Sequence, residues 1–281
     1  VRVETANTPS AEQVVELATT AIDDMLSGQD PALRVVGIGV GVPGQVRLSD
    51  GLVREATHMG WFEQPLAAMF ERSTGHPSWA ANAAVLAMRA ESTFGAGRDV
   101  DDLVYVIGGA SGIGGGVVTG GRLLTGTAGY AGEFGHTFVR PSGTACQCGG
   151  HGCFEAEVTQ QRLLDSVGLH AAEADQLSVA LADSTNPDVA ELVADSLDLL
   201  GIVVRNAVNL FNPSVVVLSG FLAALHSAAP DDRGLIGEAI RSARETVRIR
   251  DAVLGADQLI VGAAEIVFAE LIADPAGFLA H

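Results

Sequence analysis

Four side chains in this sequence are spaced to hold a metal ion. They read His136-x9-Cys146-Gln-Cys148-x4-Cys153. Three thiolates and one imidazole suit a tetrahedral, structural zinc ion. Gly143, Gly149, Gly150 and Gly152 lie among the ligands, and glycine lets a backbone bend tightly enough for four side chains to converge. The competing reading is three reduced cysteines with no metal. Free cysteines, however, usually sit buried in regular structure rather than among glycines. His151, two residues before Cys153, is a rival nitrogen ligand. These are the only cysteines in the chain, and an odd number cannot pair completely as disulfides. With no basic stretch and apolar core marking a signal peptide, their clustering favours a metal in a reducing cytoplasm.

The chain that must position this loop has 281 residues, enough for two lobes with substantial cores. Hydrophobic residues make up 48% and charged residues 18%, which describes a globular chain. Acidic residues outnumber basic ones 34 to 16, giving a formal charge of −18. Such a surface repels phosphate backbones, so this chain alone is expected to bind nucleic acid poorly. No run reaches the roughly 18 apolar residues of a membrane span, so no membrane partner is expected. The sequence opens on Val1 rather than Met, and its first residues read as the end of a strand. A segment is therefore expected to precede them.

Patterning predicts a helix over 10–26, with Ser10 as N-cap and Gln13 closing a capping box. A buried β-branched strand follows over 34–42, ending in the Gly41–Gly44 turn. Helices are predicted over 65–73 and 81–94, the second stopped by Gly95. A strand at 103–107 leads to a glycine-dense turn at 108–116 and a second strand through Thr119. Gly120-Gly121 is a hairpin signal. An irregular loop spans 126–154. Helices are predicted at 158–164, 177–181, 189–210, 235–244 and 261–272, with a strand at 214–218. Strands and helices mix throughout, which suggests α/β layers in two lobes with a cleft between them.

Gly132-Glu-Phe-Gly-His136, then Cys146-x-Cys148-Gly149-x-x-Gly152-Cys153-Phe154-Glu155, resembles the signature of the ROK family (repressors, open reading frames and sugar kinases). The likeness runs through most of the chain. Gly37-Ile-Gly-Val-Gly-Val-Pro-Gly44 looks like the family's first-lobe strand and sugar loop. Gly112-Ile-Gly114-Gly-Gly116 resembles its second phosphate loop, and Asn212 through Gly220 the strand and turn under its adenosine site. Leu254-Gly255 and Val261 to Ala264 match its C-terminal pattern. The resemblance implies a two-lobed, actin-like (ribonuclease-H-like) ATPase fold, assembled as a dimer or tetramer. On that basis the first lobe is expected at 1–120 and the second at 121–281. The zinc loop, 132–155, would lie in the cleft region, and the last helix would return to the first lobe.

One departure bears on activity. Kinases of this family carry Asn-Asp-Ala-Asn ahead of a helix with Ala-Glu and then Phe-Gly. Here the matching run is Asn82-Ala83-Ala84-Val85 through Ala90-Glu91 and Phe94-Gly95. Ala83 thus takes the place of the catalytic aspartate, which accepts the proton of the attacking sugar hydroxyl. No acidic residue lies between Glu71 and Glu91 to replace it. The resemblance further implies that Glu133, His136 and Glu155 contact sugar hydroxyls, together with Asn82, the Pro43-Gly44 turn and His58. Gly112, Gly114 and Gly220 would be remnants of a nucleotide loop. Repressors of the family place a winged helix-turn-helix before this body. The expected protein is a sugar-responsive transcriptional regulator that meets operator DNA through a domain absent from this chain. The alternative is an ATP-dependent kinase of hexoses or N-acyl-hexosamines.

Overall fold

The computed structural model describes residues 3, 5, 7–30, 32–229 and 231–278. The expected strand end at the N-terminus falls on Val1, Arg2, Glu4 and Ala6, which lie outside the described residues. In chain order the first elements are α1 (Ala11–Leu26), β1 (Ile38–Val42), β2 (Gln45–Arg47), β3 (Leu52–Ala56), β4 (Trp61–Gln64), α2 (Leu66–Thr74), β5 (Ser78–Asn82) and α3 (Ala83–Phe94). Next come β6 (Leu103–Gly109), β7 (Gly112–Thr119), β8 (Arg122–Leu123), α4 (Phe154–Glu157), α5 (Gln160–Ser166) and α6 (Leu177–Asp183). The rest are α7 (Pro187–Phe211), β9 (Val215–Gly220), α8 (Phe221–Ser227), α9 (Arg233–Ile236), α10 (Arg241–Arg244), β10 (Arg248–Asp251), α11 (Gln258–Ala273) and α12 (Pro275–Phe278). Among the described residues, no helix is long and apolar enough to cross a membrane.

Two compact units divide the chain. One comprises Val1–Arg89, Gly126–Tyr130 and Asp257–His281; the other comprises Ala90–Thr125 and Ala131–Ala256. The sequence places the division near residue 120, some thirty residues too late. The physical reason is strand pairing, because β6 pairs with β7 on one side and β9 on the other. A strand cannot leave the sheet that satisfies its backbone groups.

In the first unit, β1 and β5 pair in parallel, and β2, β3 and β4 form an antiparallel meander. Their inner faces contribute Val42, Val46, Val53, Ala56, Trp61 and Ala80 to a core shared with Ala11 and Val15 of α1 and Leu66 and Phe70 of α2. Ser10 and Gln13 cap α1 reciprocally, as predicted. The Trp61 ring nitrogen donates to the Pro9 carbonyl at 3.0 Å, tying the chain ahead of α1 to β4. Helix α11 packs on β1 so closely that a Cβ at Gly39 would lie 1.9 Å from the Ala263 carbonyl oxygen. Gly262 makes the same approach to Leu86 of α3, at 2.0 Å.

In the second unit, the sheet order is β10-β9-β6-β7-β8. Strand β9 is central, pairs in parallel with β6 and β10, and is buried along Val215–Ser219. That burial fits its continuous β-branched run. Helix α7 starts at the Asn186 cap with Pro187 in its first turn and stops at Asn212 in the left-handed conformation. Its apolar stripe (Val189, Val193, Leu200, Val204 and Val208) joins the core under the sheet.

Several predicted elements change. Residues 78–82 form β5, and only from Ala83 does the chain turn helical. The strand predicted at 34–42 is confined to Ile38–Val42. The glycine-dense segment 108–116 is mostly strand, with Ala110 and Ser111 alone forming the turn between β6 and β7. The single helix predicted at 235–244 is two short ones, because Ile240 adopts an extended ψ of 138°.

Candidate functional site

The metal loop is built by local backbone turns. Glu133 leads into a 3-10 turn, Phe134–His136, that ends on the first ligand. The Cys146 amide donates to the Gly150 carbonyl at 2.8 Å, and the Gly149 amide returns to the Cys146 carbonyl at 3.0 Å. This knuckle needs Gly149 at φ 88°, a left-handed conformation that a side chain would strain. Two isolated bridges, Phe138 with Cys153 and Ala145 with His151, close the loop on itself. Cys153 then serves as the N-terminal cap of α4, which carries Glu155 and Glu157.

These turns bring one ligand atom each from His136, Cys146, Cys148 and Cys153 within 4.8 Å of one another. Cys148 Sγ and Cys153 Sγ stand 3.7 Å apart, and Cys146 Sγ stands 3.7 Å from His136 Nδ1. A tetrahedral ion with metal–sulfur bonds of roughly 2.3 Å has S···S edges of about 3.8 Å. The residues present therefore fit such an ion. His151 is exposed and outside this group. Burial pushes the Cys146 thiol up to about 12 and also raises Cys153. The Gly150 amide, donating to Cys148, lowers that thiol. A cation would have to displace protons from the two buried thiols, so its binding must weaken as pH falls.

Glu155 stands beside the cluster. Its Oε1 is 3.4 Å from Cys146 Sγ and 3.6 Å from His136 Nδ1, while Oε2 accepts from the Ile113 amide at 3.3 Å. Glu133 is open to solvent, yet the surrounding protein desolvates it and pushes its carboxyl above the ordinary range. His136 opposes that shift, and the nearby Glu155 charge adds to it. So Glu133, His136 and Glu155 form one neighbourhood of two carboxylates and an imidazole. Such groups can accept and donate hydrogen bonds to adjacent hydroxyls.

The other expected sugar contacts belong to the first unit. Asn82 ends β5, donates Nδ2 to the Gly44 carbonyl at 2.7 Å, and receives the Ala84 and Val85 amides on Oδ1 at 2.7 and 3.3 Å. It is thus the N-cap of α3, and one amide hydrogen remains for a ligand. At Gly44 a Cβ would lie 2.4 Å from the Glu55 carbonyl oxygen, so the turn admits only glycine. His58 is exposed on a 3-10 turn, Thr57–Met59.

The nucleotide-loop glycines have reasons inside the fold. A Cβ on Gly112 would lie 2.6 Å from Glu155 Oε2, and one on Gly115 would strike the Phe134 ring at 2.6 Å. Gly220, at φ 61°, abuts the Gly108 carbonyl oxygen, where a Cβ would come within 1.9 Å. Gly114 pairs with Ile107 in the β6–β7 ladder.

Sequence reasoning missed the residues that anchor the metal loop. Glu157, 8% exposed, accepts from the Thr144 amide and faces Arg140 Nε at 3.5 Å. Arg140 also reaches Asp195 of α7 at 2.6 Å. The available signal was a second carboxylate two residues beyond Glu155.

Comparison with known proteins bears on the whole chain. The model of the ROK family matches residues 2–270. A glucokinase of Halalkalibacterium halodurans is 29% identical, over 88% of this chain and 81% of its own. A xylose repressor of Caldicellulosiruptor bescii is 26% identical, over 86% of this chain but only 64% of its own length. Among solved structures, a ROK family transcriptional regulator described as a homolog of the E. coli MLC protein superposes with a TM-score of 0.78 at 25% identity. That likeness covers 92% of this chain and 69% of the regulator. The ROK hexokinase of Thermus thermophilus gives a TM-score of 0.74 at 30% identity, over 97% of this chain and 91% of its own. The α/β fold is therefore the actin-like fold of ROK sugar kinases.

Proposed function

The chain belongs to the ROK family, and on that premise we propose that it is the effector-binding body of a sugar-responsive transcriptional regulator. The observation that carries this reading is Ala83. It is the first residue of α3, directly after the Asn82 cap. A phosphoryl-transferring relative needs a carboxylate there to take the hydroxyl proton, and a methyl group cannot do so. Asn82 does not substitute, because an amide is no base at neutral pH and its oxygen is committed to the helix cap. A regulator needs affinity without turnover.

The sugar is assigned to the Glu133, His136 and Glu155 neighbourhood of the second unit. Zinc is assigned to His136, Cys146, Cys148 and Cys153, in keeping with the ligand spacing and with the reducing cytoplasm that three thiolates require. His136 presents Nδ1 to the cluster, which leaves Nε2 for a hydroxyl. When bound, the ion supplies structural cross-linking of the loop. Operator DNA is assigned to a winged-helix segment outside this chain, since a formal charge of −18 opposes phosphate contact by the body itself. Sugar acts by favouring one arrangement of a dimer or tetramer, and only to the extent that it binds that arrangement more tightly.

The second reading, an ATP-dependent sugar kinase, is favoured by the glucokinase and hexokinase relatives, whose identities match or exceed those of the regulators. One experiment separates the two. The full-length gene product is titrated with a hexose panel by calorimetry and assayed with ATP in a coupled reaction. Sugar binding without turnover, with sugar-dependent operator release, is expected. Turnover on the order of 1–100 s⁻¹ would establish the kinase instead.

A further inference from the structure

The second unit carries a connection that neither the metal reading nor the sugar reading requires. Residues Gly112 and Ile113, at the start of β7, are held from two sides. On one side Glu155 of α4 accepts the Ile113 amide on Oε2 at 3.3 Å. On the other, Gly135 lies so close that a Cβ there would sit 2.1 Å from the Ile113 carbonyl oxygen. Both flanks hang on metal ligands. Gly135 precedes His136 within one 3-10 turn, and Glu155 lies in the short helix that Cys153 caps. The same carboxylate's Oε1 faces His136 Nδ1 and Cys146 Sγ. A four-residue helix and a single 3-10 turn have little stability of their own. Their spacing is set jointly by the loop's own backbone bonds, with the Phe154 amide on the Thr137 carbonyl at 2.9 Å, and by the four ligands that converge on the cluster.

We propose that Glu155 is a positioning residue that couples the start of β7 to the metal cluster, so that the order of Gly112 and Ile113 depends on metal occupancy. This rests on the zinc reading above. The metal gathers His136 and Cys153, the two anchors bring Gly135 and Glu155 onto the strand, and the carboxylate holds the Ile113 amide. Removing the metal lets both anchors drift, and the amide loses its acceptor to solvent. The glycine at 112 is then explained as a seat for the metal loop, because a side chain there would collide with Glu155.

The test is hydrogen exchange on the full chain, with amides of β6 and β9 as internal references. Three samples are compared: zinc-loaded, chelator-stripped, and zinc-loaded Glu155→Ala, each with its zinc content measured. Stripping should speed exchange at Ile113 by about ten- to a hundredfold, the worth of one hydrogen bond to a charged acceptor. Glu155→Ala should show that faster exchange while still holding one zinc. Unchanged protection at Ile113 in the zinc-loaded variant overturns the coupling, even where stripping unfolds the unit as a whole. Unchanged protection after zinc has left overturns it as well. A chain that takes up no stoichiometric zinc overturns the metal reading first, and the coupling with it.

Discussion

The Asn82 side chain joins two turns of the first unit, donating to the Gly44 carbonyl at 2.7 Å while its oxygen caps α3 through the Ala84 amide at 2.7 Å. The residue expected to meet a sugar is thus already the clasp between the Gly41–Gly44 turn and the helix that begins at Ala83. Asn82→Ala should cost about 1–2 kcal/mol from the lost cap alone. Asn82→Ser keeps a cap oxygen and loses only the donor to Gly44, so it should be less destabilising. Urea midpoints of the two variants check this, and an equal loss in both would refute the cap's role.

Ala83→Asp restores a carboxylate at the first residue of α3, where a negative charge suits the helix N-terminus. The variant should fold like the parent. In the full-length gene product it should raise any residual ATP-dependent phosphorylation by roughly 10² to 10⁴-fold. No gain, with sugar affinity intact, would mean that the nucleotide machinery is missing as well as the base.

Cys148→Ser removes the most exposed ligand of the cluster. Loss of stoichiometric zinc is expected, together with a melting temperature that no longer rises with added zinc. In the parent, free zinc at a hundredfold over Kd should add about 2.7 kcal/mol. Because His136 is shared by the metal and sugar assignments, sugar affinity should fall as well. Undiminished sugar binding by the metal-free chain would leave zinc a purely structural staple.

His226 donates to Asp251 at 2.7 Å and to Asp232 at 3.0 Å. Asp251 chiefly, then Asp232, raises its pKa to about 9, against the desolvation that lowers it. The folded state therefore holds this proton more tightly than the unfolded state, whose value is near the ordinary 6.5. The resulting stability is fully present below about pH 6.5 and is lost as pH rises through 9. With both aspartates partly exposed, its size should be roughly 1 kcal/mol. Denaturation of the parent and His226→Gln at pH 6 and pH 9.5 measures it. The difference between the two proteins should shrink at the higher pH; a constant difference would rule out the protonated pair.

The parts of the site that were legible in the sequence are those whose geometry is local. Four ligands lie within a short glycine-rich loop, and the Ser10–Gln13 cap spans a single turn. The strand β5 was not legible, because Ser78 to Asn82 runs into an alanine-rich helix and alanine favours helix. What makes it a strand is pairing with β1, far back in the chain. Segment 108–116 read as a turn for a related reason. Its glycines answer to Phe134, Glu155 and Phe221, contacts that sequence spacing does not reveal. The meander β2–β4 has strands of three to five residues, too short for alternation to stand out.

The packing of α11 on β1 has a consequence for synthesis. The first unit is written in the gene as two pieces, Val1–Arg89 and Asp257–His281, apart from the short stretch Gly126–Tyr130. The second unit is nearly continuous and leaves the ribosome whole while the first still lacks its closing helix. Until Ala263 emerges to cover Gly39, that glycine-rich strand has an uncovered face. Nascent chains stalled before Gln258 should thus carry a finished second unit and a first unit whose strand β1 still awaits α11.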